Sequence, residues 1–80
     1  MTKSDVLSIL DGLAKDYPDD HLVQANCDFY SGKLLIETDP ALARQHFVAA
    51  EQGFRKLFPP EHQVLAAVQS GLAKLSENKS

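Results

Sequence analysis

The segment TDPALARQHFVAAEQGFRKLFPP, residues 38–60, decides the fold class of this 80-residue chain. Its apolar residues lie three or four positions apart, which is the spacing of one face of an α-helix. Thr38 or Asp39 can cap the helix, and Pro40 suits its first turn, where no backbone N–H is needed. Because a pair of prolines follows the apolar stretch, we predict a helix over residues 40–57. Its apolar face consists of Ala43, Phe47, Ala50, Phe54 and Leu57.

The same spacing continues through the rest of the chain and predicts helices at about 4–17, 19–37 and 61–77. No stretch alternates apolar and polar residues as a strand would. The helix at 19–37 is apolar on two faces, so we expect helices on both sides of it. The sequence therefore predicts an all-α fold, with four antiparallel helices forming two helical hairpins in a single domain over 1–80.

Composition and charge exclude several classes of protein. Eight Lys and Arg against eleven Asp and Glu give a net charge of -3, which argues against a nucleic-acid partner. The apolar runs are too short to span a membrane. Asp5 stands where the apolar core of a secretion signal would begin. The single cysteine, Cys27, forms no internal disulfide and suits a reducing compartment, so we expect a cytoplasmic protein.

The chain also contains an internal repeat. A shift of forty-one residues places residues 11–35 over residues 52–76 with eight identities and no gap. The repeated loop joins an aromatic residue, a proline, an acid and a histidine, and we expect His21 and His62 each to donate a hydrogen bond there. The identical pairs are Gly12/Gly53, Lys15/Lys56, Pro18/Pro59, His21/His62, Val23/Val64, Ala25/Ala66, Lys33/Lys74 and Leu34/Leu75.

Residues 22–76 resemble a tetratricopeptide repeat (TPR). Ala43, Phe47 and Ala50 reproduce the small-aromatic-small spacing of that family's second helix. The repeat length of forty-one is similar to the long repeats of the kinesin light chain type, and so is the linking segment 58–62. The sequence departs from the family pattern at Tyr30 and Leu34, which exchange the usual sizes. The resemblance implies helical hairpins with a concave surface, lined by the first helix of each unit, that binds a peptide or helix of another protein.

The resemblance also implies which residues bind the partner. They are the positions of the helix at 19–37 that lie off its main apolar stripe. An exposed Phe29 would be the anchor of such a surface, because aromatic residues concentrate binding energy. The alternative is that Phe29 packs against a neighbouring helix. The predicted partner-binding residues are Asn26, Phe29, Lys33 and Ile36.

The last helix carries a broad apolar arc, which a terminal helix of a repeat array normally lacks. We expect a second copy of the chain to cover this arc, most simply in a two-fold homodimer. The alternative is a closed four-helix bundle that buries the arc internally. The predicted self-association residues are Val64, Leu65, Val68, Leu72 and Leu75.

The sequence does not favour an enzyme. Cys27 lies on an apolar stripe, where a buried and inert thiol is expected. His46 lies next to Phe47 on the third helix, where we expect a boundary or surface residue and not a catalyst. No phosphate-binding loop or metal motif is present, so we expect no cofactor and no metal. We predict a non-enzymatic interaction module that binds another protein. The alternative is a small acidic helical regulator or inhibitor, of the immunity or antitoxin kind, which blocks one protein target through acidic residues. These are Asp16, Asp19 and Asp20.

Overall fold

A computed structural model describes residues 2–77, which form four α-helices. Within that range there is no strand, so the prediction of an all-α chain with four helices is confirmed. The helices are α1 (Lys3–Asp16), α2 (His21–Leu35), α3 (Pro40–Leu57) and α4 (Gln63–Glu77).

Side-chain oxygens set the starts of the first three helices. The Thr2 hydroxyl accepts from the Asp5 backbone N–H, and the Asp5 carboxylate accepts from the Thr2 backbone N–H in return. This reciprocal pair is a capping box, and it sets the start of α1 at Lys3. Asp20 caps α2, which therefore begins at His21 and not at residue 19. The Asp39 carboxylate caps α3.

The helices form an open array. Consecutive helices pack side by side, and the most extensive contact joins α2 to α3. Helix α1 packs against α2 alone, whereas α4 packs against α3 and touches α2. Since α1 and α4 do not meet, residues 2–77 do not form the closed bundle considered as the alternative. The array is flat, with principal extents of 37 × 33 × 17 Å.

The core is centred on Phe47, whose ring is fully buried where α2, α3 and α4 meet. A Cβ on Gly32 of α2 would lie 3.1 Å from this ring, and one on Gly71 of α4 would lie 2.6 Å from it. The two glycines therefore let both helices approach the aromatic ring closely. The buried cluster comprises Ala25, Ala43, Phe47, Ala50, Phe54, Leu65, Val68 and Leu75.

Gln24 connects α1 to α2 through its side-chain amide. Its Nε2 donates to the backbone oxygen of Ala14 at 2.6 Å and to that of Tyr17 at 2.9 Å. Carbonyls at the end of a helix lack partners within the helix, so this amide satisfies the Ala14 oxygen, while the Tyr17 oxygen also accepts from the Asp20 backbone N–H. Gln24 therefore ties the end of α1 to α2.

Candidate binding surfaces

The outward face of α2 presents a cation above two aromatic rings. Asn26, Tyr30 and Lys33 follow each other at helical spacing, and half of Tyr30 is exposed. The Lys33 ammonium lies 5.4 Å from the centre of the Phe29 ring and 5.8 Å from that of Tyr30. Such contacts contribute about 0.5–1 kcal/mol at exposed sites. This face thus offers one preorganised cation to a partner.

Phe29 and Ile36 do not form the exposed anchors that the sequence suggested. Both are half-buried against the hydrophobic core. The Phe29 ring stands edge-on to Phe47 and Phe54, with centroids 6.0 Å and 6.4 Å apart. Phe29 therefore packs against α3, which was the alternative reading of this residue. The role of Asn26 and Lys33 in partner binding stays a prediction.

Tyr30 is the residue of this face that the sequence missed. Its spacing from Cys27 and Leu34 is that of an apolar helical stripe, yet its ring is half exposed. The buried positions of α2 are instead occupied mainly by small residues, because α3 approaches closely there. They are Ala25, Cys27, Ser31 and Gly32.

The apolar arc of α4 is largely covered within the chain itself. Leu65, Val68 and Leu75 are buried in the core cluster, so in this arrangement they are not available to a second copy. The prediction of self-association through these three residues is therefore wrong. Val64 and Leu72 are half-buried, and their contact with a second copy stays a prediction.

An exposed apolar stripe lies at the other end of the array, on α1. We call it the α1 stripe: Val6, Ile9, Leu13 and Tyr17. The exposed fractions are 49% for Ile9, 41% for Leu13 and 53% for Tyr17. No residue of α1 is buried, because α1 has one neighbouring helix instead of two. The helical spacing of the sequence predicts α1 itself but does not reveal which end of the array stays open.

Acidic residues follow one edge of the α1 stripe. Asp5 and Asp16 lie eleven residues apart, close to three helical turns, so they share the side of α1 that also carries Ile9. We call these two residues the acidic edge. Both are exposed. The α1 stripe therefore combines an apolar centre with negative charge on one side.

The stripe leads into an open cavity of about 550 Å³ between the end of α1 and the start of α2. Tyr17, Leu22 and Leu57 supply its apolar wall, while Asp16 and Asp19 add carboxylates. A third carboxylate, that of Asp20, accepts from two backbone N–H groups as the cap of α2. The acidic residues that the sequence assigned to an inhibitor thus lie together at this cavity.

A second cavity of about 290 Å³ lies between α1, α2 and α3, and the residues that line it include Cys27, Asp28 and His46. His46 Nδ1 is 3.0 Å from an Asp28 carboxylate oxygen, which joins α3 to α2. Burial raises the pKa of the Cys27 thiol, and the Asp28 carboxylate raises it further. The thiol therefore stays protonated, unlike a nucleophilic cysteine. Among residues 2–77, no group of three or more His, Cys, Asp or Glu side chains could hold a metal ion.

The two repeated histidines differ in structure. His62 Nδ1 accepts from the backbone N–H of Val64, and its ring stacks on Phe58 with centroids 4.4 Å apart. At the equivalent corner Asp20 provides the cap, and His21 is exposed with no side-chain hydrogen bond in the described part of the chain. The expectation that both histidines donate a hydrogen bond is therefore wrong.

We expect Cys27 to react with iodoacetamide much more slowly in the folded chain than in urea at the same pH.

The raised pKa of the Cys27 thiol also predicts that the stability of the fold depends on pH. Above the usual thiol pKa of about 8.5 the unfolded chain loses this proton first, so the free energy of unfolding should decrease as pH rises further. Urea titrations at pH 7 and pH 10 measure this effect, and Cys27→Ala is the control. A decrease of the same size in Cys27→Ala would contradict it.

No protein-family model, curated protein or solved structure matches this chain. None of the described helices is long and apolar enough to cross a lipid bilayer. The surfaces of the chain itself are therefore the basis for inferring its function.

Proposed function

We propose that this chain is a cytoplasmic, non-enzymatic interaction module of TPR-like type that binds a helix or peptide of another protein. The observation that carries the proposal is the α1 stripe, where Ile9, Leu13 and Tyr17 stay exposed along one helix. Contiguous apolar surface of this kind is typical of protein-binding sites. The open array supports the same view, because its end helix keeps one face free for a partner.

The titratable groups of the core have structural roles that fit a non-enzymatic protein. The pKa of the Cys27 thiol is raised, whereas a nucleophilic cysteine needs a lowered one. His46 and Asp28 join two helices, and the His62 ring takes part in the corner between α3 and α4. Each of these side chains is therefore accounted for by the fold.

A second candidate function is the acidic regulator or inhibitor, which the carboxylates at the larger cavity favour. Charge reversal distinguishes the two functions. Asp19→Lys should abolish binding by an inhibitor that acts through acidic residues, and it should leave binding through the α1 stripe largely intact. Asp20 is unsuitable for this test, because its carboxylate caps α2.

Site-specific photocrosslinking tests the interaction module. We expect a photoreactive phenylalanine at position 13 to form discrete adducts with another protein in extracts of the native cell. The same group at position 48 is the matched control, since Leu13 and Val48 are both 41% exposed but lie on different helices. Equal adduct patterns from both positions would contradict the proposal. An adduct of twice the chain's mass would instead identify a homodimer that uses α1.

A further inference from the structure

The α1 stripe is the counterpart of the buried face of α3. Under the forty-one-residue shift, the last residue of α1, Asp16, coincides with the last residue of α3, Leu57. The counterparts on α3 are buried or half-buried, whereas three of the four stripe residues are exposed. The equivalent pairs are Val6 and Phe47, Ile9 and Ala50, Leu13 and Phe54, and Tyr17 and Phe58.

The repeated glycine shows where a covering helix would lie. On α3, a Cβ at Gly53 would come 2.9 Å from the Ala25 Cβ, so α2 passes directly over this glycine. On α1, a Cβ at Gly12 would meet no atom within 4 Å. The same glycine therefore marks a close helix contact in one half of the chain and an open surface in the other.

The charges at equivalent positions differ in a way that specifies the partner. On α3, His46 faces Asp28 of α2, with 3.0 Å between the His46 Nδ1 and the Asp28 Oδ1 atoms. Asp5 occupies the position of His46 on α1, and Asp16 occupies that of Leu57. A helix that lay on α1 as α2 lies on α3 would thus meet two carboxylates, and it would need cations to pair with them.

We propose that the α1 stripe binds a basic amphipathic helix of another protein, oriented antiparallel to α1. A small residue of that helix lies over Gly12, as Ala25 lies over Gly53. A Lys or Arg of the partner helix, three residues C-terminal to this small residue, pairs with Asp5. A second Lys or Arg, three residues N-terminal to the small residue, pairs with Asp16. These spacings are those of Asp28 and Leu22 relative to Ala25 on α2. The inference rests on the proposed function and adds the chemistry of its partner.

The acidic edge disfavours a second copy of the chain as the occupant. When two α1 helices pair antiparallel about a two-fold axis, each edge of the stripe faces the same edge of the other copy. Asp5 and Asp16 would then face the same two carboxylates of the second chain. Like charges in an interface reduce affinity, whereas a basic partner makes favourable pairs.

Two synthetic peptides test the inference against the full chain. Both have the sequence of residues 19–37 with Cys27→Ala, which prevents disulfide formation. One carries Leu22→Lys and Asp28→Lys, and the other carries Leu22→Glu and Asp28→Glu. By fluorescence anisotropy at low salt, we expect the Lys peptide to bind at least about tenfold more tightly than the Glu peptide.

Variants of the protein locate the peptide on α1. Gly12→Leu should keep the chain folded and at least as resistant to heat as the original chain, because open space surrounds this position and leucine is the better helix former. It should abolish peptide binding. Val48→Leu, on an exposed surface of α3, is the control and should bind normally. Asp16→Lys should reverse the preference in favour of the Glu peptide. Gly12→Ala, which adds the smallest possible side chain, is a second variant for the same measurement of peptide binding.

Four results would overturn the inference, the last of which leaves the proposed function intact. The first is equal affinity for the two peptides, and the second is unchanged binding by Gly12→Leu. The third is absence of peptide binding together with a dimer, seen by sedimentation, that Gly12→Leu dissociates; the occupant would then be a second copy. If neither peptide binds but position 13 still forms adducts with another protein, the proposed function holds and the basic helix does not.

Discussion

Phe47→Ala is expected to lower the free energy of unfolding by about 3–5 kcal/mol, the usual cost of removing a buried aromatic side chain. The ring is fully buried and contacts α2 at Gly32 and α4 at Gly71, so its removal leaves a cavity shared by three helices. Because small domains are stable by only about 5–15 kcal/mol in total, much of the variant should be unfolded at 37 °C. Circular dichroism during urea titration measures the loss.

Val48→Ala is the control for this substitution, since it shortens an exposed side chain on the same helix. It should change stability by less than about 0.5 kcal/mol. Phe47→Leu should fall between the two, because it retains most of the apolar volume. A Phe47→Ala variant that unfolds at the same urea concentration as the original chain would show that the three helices do not depend on this ring.

The boundaries of α3 could be predicted from the sequence because its signals are local. Asp39 and Pro40 adjoin at its start, and the helix ends just before Pro59. The start of α2 does not follow from local sequence in the same way, since Asp19 and Asp20 are both able to cap and only the backbone geometry selects Asp20. Local chemistry thus fixes helix ends to within a residue or two.

The surfaces could not be predicted to the same degree, because they depend on which helices meet. The apolar residues of α4 and of α1 look alike in sequence, yet Val68 is buried and Ile9 is exposed. The difference arises because α4 packs against α3 and also touches α2, whereas α1 packs against a single helix. The contact of Gln24 with α1 could not be predicted from the sequence either, because its hydrogen bonds form only after the two helices have docked.

Substitution of glycine by alanine is expected to change the free energy of unfolding in opposite directions at different positions: it should lower it at Gly53 and Gly71 and raise it at Gly12. Gly53→Ala should destabilise the fold by about 1–2 kcal/mol. The added methyl group would lie 2.9 Å from the Ala25 Cβ, and a Cβ cannot move unless its backbone moves too. Gly71→Ala should also destabilise, because its methyl group would lie 2.6 Å from the fully buried Phe47 ring. Urea unfolding of each variant measures these changes.

Gly12→Ala is the matched control, because it adds the same methyl group to the repeated glycine of α1, where no atom lies within 4 Å. Alanine is the better helix former, so this variant should be more stable than the original chain by about 0.5–1 kcal/mol. The contrast between Gly12 and Gly53 isolates the helix contact from helix propensity, since the chemical change is identical. If Gly12→Ala and Gly53→Ala shifted stability in the same direction, the two glycines would be in similar surroundings, and α1 would not have the open face on which the binding of a partner helix depends.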